Sequence, residues 1–153
     1  DWSSDVCSSD LGRLVLRAAA QGAWLIDDSY NANPSSLLAA LEVLGSMEGR
    51  RWLVLGEMAE LGAHAAAAHT EAGRQARAHG VERLFALGER AALAARSFGE
   101  GASRHDDALE LAAAVRAGLA PDVRVLVKGS RMNRLERVVD ALMPTPAASR
   151  GAA

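Results

Sequence analysis

Asp27-Asp28-Ser29-Tyr30-Asn31-Ala32-Asn33-Pro34 joins an apolar stretch that reads as a strand to one that reads as a helix. Ahead of it, Ala23-Trp24-Leu25-Ile26 is a short apolar run of the kind that forms a buried strand. Behind it, Leu37, Leu38, Leu41 and Leu44 recur at three- and four-residue spacing, the signature of one buried helical face over residues 35–47. Asn33 suits the N-cap, and Pro34 suits the first helical position, where a missing N–H costs nothing. Two carboxylates, a phenol, two amides and a helix N-terminus therefore crowd into one junction. A structural turn needs only one or two such groups, so the stretch predicts a loop built to hold a ligand.

Working outward, residues 14–16 form a short apolar run that pairs with residues 24–26 as a hairpin, with Gln21-Gly22 as its turn. Downstream, residues 51–55, 84–87 and 123–127 read as buried strands, the first two ending at Gly56 and Gly88. Helices are predicted over residues 64–79, 89–97, 107–119 and 132–142, the third opening on Asp107 with the spacing of a capping box to Glu110. Strands separated by single helices predict an α/β fold: a doubly wound, mostly parallel sheet with helices on both faces. Such sheets bind ligands outside the carboxyl ends of their strands. The Asp27–Asn33 run, Gly56-Glu57-Met58-Ala59-Glu60-Leu61-Gly62 and Lys128-Gly129-Ser130-Arg131 should then share one edge.

Composition narrows the classes. The 153 residues are 50% hydrophobic, enough for one domain with a substantial core, and a formal net charge of −2 gives no basic face for nucleic acid. No apolar stretch nears the roughly 18 residues of a membrane span, and no signal-peptide pattern stands at the start, so a cytoplasmic location is expected. The single cysteine, Cys7, allows no internal disulfide. It lies in residues 1–11, a Ser/Asp-rich stretch without periodicity that resembles a translated sequencing adapter and is read as a non-native leader. Residues 144–153, rich in Ala, Ser and Pro, read as a fraying tail.

Each polar motif has a structural alternative. Lys128, Ser130 and Arg131 suit a carboxylate or phosphate, with Gly129 allowing close approach, yet the same residues would serve an ordinary solvated loop. Strand alternation sends Asp27 and Asp28 to opposite faces, which argues against a carboxylate dyad and leaves one to cap the turn or meet a ligand. Asn31 and Asn33 could hold phosphate oxygens or a peptide, or act only as turn and cap. His64 and His69 diverge around their helix without completing a zinc pattern, so both read as solvated or core-edge residues, and no metal site is expected. Trp24 and Trp52 read as core.

Taken together, the three loop strings, with His69, Gly73 and Glu136, resemble the C-terminal domain of the Mur ligases over residues 12–143, a Rossmann-like fold. The nearest type joins D-alanyl-D-alanine to UDP-N-acetylmuramoyl-tripeptide in cell-wall precursor synthesis. Gly12-Arg13 also resembles the start of that domain, although Leu11 stands where a proline is usual. The resemblance implies ATP and Mg2+ as cofactors, a carboxylate activated by phosphorylation, and attack by the dipeptide's amine. It implies that Arg13, Asp28, Tyr30, Asn31 and Asn33 lie on the nucleotide side, and that Asn33, Lys128, Ser130 and Arg131 hold the dipeptide. A phosphate-cradling Gly-x-x-x-x-Gly-Lys-Ser/Thr loop is absent from the sequence. In the family that loop sits on the N-terminal and central domains, so this chain alone is expected to be inactive. The competing expectation is a stand-alone nucleotide-binding or receiver-like module without catalysis.

Overall fold

The computed structural model describes residues 15–28, 33–59, 61–129 and 133–144. Its elements alternate: β1 (Val15–Ala18), β2 (Trp24–Asp28), α1 (Pro34–Gly45), β3 (Arg50–Leu55), α2 (Ala65–Ala78), β4 (Arg83–Leu87), α3 (Ala91–Phe98), β5 (Ala102–His105), α4 (Ala108–Ala117), β6 (Val123–Lys128) and α5 (Glu136–Leu142). The six strands form one sheet in the order β1-β2-β6-β3-β4-β5. Only β1 runs antiparallel, paired to β2 from Val15↔Asp27 to Ala18↔Trp24. The tight connection between them uses positive φ at Gln21 (60°) and Gly22 (80°), which matches the expected turn.

Strand alternation sorts the core into two layers. Ile26, Leu53, Leu55, Leu84, Ala86 and Leu126 point to one face and pack with Leu37, Leu41 and Leu44 of α1, Ala72 and Ala76 of α2, and Ala94 and Phe98 of α3. Leu25, Trp52, Val54, Phe85, Val125 and Val127 point to the other, against Leu111 and Val115 of α4 and Val138 and Leu142 of α5. Burying each of the larger side chains contributes on the order of 1.5–3 kcal/mol. The chain winds outward from β2 through β3 and β4 to β5, then returns to insert β6 between β2 and β3. A right-handed crossover that reverses direction must pass over the opposite face, which is where α4 lies. The helices after β6 and after its neighbours therefore lie on opposite faces, the switch point whose crevice takes ligands in sheets of this kind.

The differences from the sequence reading have local causes. β5 has no counterpart in the sequence pattern, because Ala-Ser-Arg-His is a short, half-exposed edge strand with no apolar run. The last helix begins at Glu136 rather than at Met132, which lies outside the described residues; Arg134, with φ of 52°, cannot continue a helix. Trp52 is fully buried, but Trp24 is 40% exposed and belongs to neither core layer. As the first residue of β2, paired with the end of the short edge strand, Trp24 sits beyond the reach of the packed helices.

Candidate functional site

The crevice is floored by three adjacent strand ends. Register aligns Asp28 of β2 with Lys128 of β6, and Lys128 with Leu55 of β3. Asp28 and Lys128 follow Ile26 and Leu126 by two residues and so face the same side of the sheet. Lys128 Nζ donates to Asp28 Oδ2 at 2.6 Å, with the two side chains only 1% and 6% exposed. Two buried ions cost several kcal/mol each to desolvate, and opposed charge at hydrogen-bond distance offsets that cost. Their charged atoms thus meet each other beneath the rim. Asp27 turns to the opposite face, as alternation demands, and takes Arg17 Nε at 3.2 Å.

Asn33 opens α1 through a reciprocal cap. Its Oδ1 accepts from Ser36 N at 2.9 Å, while its own N–H donates to Ser36 Oγ at 3.1 Å. Pro34 occupies the first helical turn, as its sequence position predicts. Beside it, Pro34, Leu37 and Leu38 of α1 and Ala68, Glu71, Ala72 and Gln75 of α2 line an open groove of about 140 Å³. Sequence periodicity assigned these leucines to the core, and Leu38 is instead 38% exposed.

The loop after β3 is held more tightly than its sequence suggests. Gly56 N–H donates to Lys128 O at 2.8 Å, and a Cβ on Gly56 would stand 2.6 Å from Asn133 Oδ1. A Cβ on Gly129 would meet Leu135 Cδ1 at 2.5 Å, so the two glycines let the β3 and β6 loops approach. Glu57 Oε2 accepts the Arg90 N–H at 2.8 Å, just ahead of α3. Met58 is buried in the core, and its N–H donates to His69 Nε2 at 2.9 Å. His69 Nδ1 lies 2.7 Å from Ala65 O, so it carries the proton and donates. His69 is therefore a fully buried residue rather than a solvated or core-edge one. Nothing local in the sequence reveals this, since its partner lies eleven residues away in a loop.

Arg13, Tyr30, Asn31, Ser130 and Arg131 lie outside the described residues. Among the described residues, no group of three or more His, Cys, Asp or Glu could hold a metal ion, and no helix is long and apolar enough to cross a membrane.

Residues 12–131 match the family described as Mur ligase, glutamate ligase domain. The chain belongs to this family. It is 40% identical over 133 residues to the UDP-N-acetylmuramoyl-tripeptide–D-alanyl-D-alanine ligase of Escherichia coli (strain K12), a match covering 86% of this chain and 29% of that protein. The ligase of the same name from Bacillus subtilis (strain 168) is 33% identical over 145 residues, covering 88% of this chain and 31% of that one. The fold also matches the crystal structure of MurF ligase from Thermotoga maritima in complex with ADP, with a TM-score of 0.77 and 26% identity. That match covers 88% of this chain and 31% of the other. MurF from Acinetobacter baumannii gives a TM-score of 0.76 at 29% identity, covering 89% of this chain and 31% of that one. The chain thus spans about 30% of the length of the Mur ligases it matches. The doubly wound fold expected from the sequence is the one observed, and it is shared with those neighbours.

Proposed function

We propose that this chain is the C-terminal domain of an ATP-dependent ligase that adds D-alanyl-D-alanine to UDP-N-acetylmuramoyl-tripeptide in the cytoplasm. Residues 12–143 form the domain, and residues 1–11 and 144–153 lie outside it. The observation that carries this reading is that three adjacent strand ends lead into the three motif strings. β2, β6 and β3 lead into the Asp27–Pro34, Lys128–Arg131 and Gly56–Gly62 strings, in a domain whose relatives bear that ligase's name.

Peptide ligation needs an amine held in line with an activated carboxyl while water is kept out. This domain's share is to bind and orient. The Asp28–Lys128 pair roots two of the loops at a fixed separation, so direct grip falls to residues beyond it. Ser130 and Arg131, with Asn33, suit the dipeptide, whose carboxylate matches a guanidinium and a hydroxyl. Arg13, Tyr30 and Asn31 suit the nucleotide side. The described residues offer no donor set for Mg2+, and the sequence contains no phosphate-cradling loop. As the family resemblance implies, the ATP phosphates and Mg2+ fall to the N-terminal and central domains.

A chimera tests the reading: the N-terminal and central domains of the Escherichia coli relative joined to residues 12–143. It should form the dipeptide-extended product with ATP and Mg2+, while the chain alone should not. A folded, ATP-binding chimera without product refutes it. Aspartate labelling of the chain by acetyl phosphate would instead support a receiver.

A further inference from the structure

We infer that His69 is a positioning residue: through Met58 it holds the β3–α2 loop as a brace against Lys128 and Gly129, where β6 ends and the β6 loop begins. The inference rests on the ligase reading only for the purpose of that β6 loop. Three contacts define the brace. Met58 N–H is held by His69 Nε2 at 2.9 Å, the Glu57 carboxylate takes the Arg90 N–H at 2.8 Å, and the Gly56 N–H reaches Lys128 O at 2.8 Å. Successive residues of one loop are thus tied to α2, to the start of α3 and to the end of β6. Gly56 packs where Asn133 and Leu135 also contact Gly129, so a shift of the loop is transmitted to the β6 turn.

The imidazole suits this task because its two nitrogens are used in opposite senses. Nδ1–H donates to Ala65 O one turn back in α2, which fixes the ring, and leaves Nε2 as a lone-pair acceptor aimed at the loop. Burial is complete, so water cannot replace the acceptor if it is lost. Gly73, one turn further along α2, packs against the backbone of Ala94 in α3 and keeps the two helices that carry the brace together.

Two substitutions separate the nitrogens. Glutamine places its carboxamide oxygen near the Nε2 position, and asparagine its carboxamide NH2 near the Nδ1 position. In the purified chain, 15N NMR of wild type should show His69 Nε2 unprotonated and Nδ1 protonated. His69→Asn should speed hydrogen exchange of the Met58 amide roughly five- to 150-fold, the cost of leaving a buried donor unsatisfied. It should also shift the Gly129 amide resonance, while exchange at Leu53 and Leu126 changes less. His69→Gln should retain Met58 protection and the Gly129 position. A protonated Nε2, equal effects of the two variants, or uniform acceleration across the core would overturn the inference. None of these readouts depends on ligase activity, so failure of the chimera would leave them standing.

Discussion

Lys128→Met removes the ammonium from the buried pair while retaining a stem of similar shape, and leaves the Asp28 carboxylate 6% exposed with no opposing charge from Lys128. Breaking a buried ion pair by removing one partner costs about 3–5 kcal/mol, because the surviving charge has lost water and its counter-ion together. For a domain of this size each kcal/mol shifts Tm by about 2–4 °C, so the midpoint should fall by roughly 6–20 °C. Asp28→Leu should destabilise by a comparable amount from the other side, by leaving the ammonium buried without the Asp28 carboxylate. The double substitution Asp28→Leu with Lys128→Met should be much less harmful than the sum, since apolar residues can fill a buried pair's space at little cost. Urea unfolding followed by far-UV circular dichroism, arranged as a double-mutant cycle, measures this directly. A coupling of about 2 kcal/mol or more is expected. Additive single effects below about 1 kcal/mol each would refute the reasoning, because they would mean that both side chains reach solvent at the crevice and the strand ends are not locked to each other.

Other expectations follow from single contacts. Asn33→Ala removes the acceptor for Ser36 N–H and should cost about 0.5–2 kcal/mol by urea unfolding, with no change in sheet content. Gly73→Ala should destabilise by about 1–3 kcal/mol or more, since its Cβ would clash with Ser97 Oγ and the Ala94 carbonyl oxygen and α2 must separate from α3; a neutral result in thermal unfolding would contradict that packing. The hydrogen bond from Trp52 Nε1, followed by Arg50, holds the Glu82 carboxyl below its ordinary value of 4.5. A depressed folded-state value stabilises above the unfolded value, and that contribution fades as pH falls below about 4.5 through the folded one. Glu82→Gln should therefore flatten the acid limb of stability. The effect is small, because the carboxylate is 48% exposed and solvent-screened. Identical acid limbs in the two proteins would exclude it.

The sequence by itself determined the alternation of strands and helices, the cap at Asn33, the turn at Gln21-Gly22 and the separation of Asp27 from Asp28. Each follows from local rules: side-chain period, backbone conformational preference, and the unpaired N–H groups of a first helical turn. The three loop strings, which carry the family resemblance, were legible for the same reason, each being contiguous. Tertiary structure decided what contiguity cannot encode. Asp28 and Lys128 are one hundred residues apart, and only the insertion of β6 beside β2 brings them together as a buried pair. His69 reads as a solvated or core-edge residue on an Ala-rich helix until α2 is laid against the β3 loop. Trp24 and Trp52 have equally apolar surroundings in the chain, yet their fates diverge. Trp52 lies within β3, between β6 and β4, and packs against Phe85 with Arg83 over its ring, whereas Trp24 is the first residue of β2, beside the edge strand β1. Burial and charge pairing depend on which elements become neighbours, and that is settled by sheet order and helix side, properties of the whole chain rather than of any window within it.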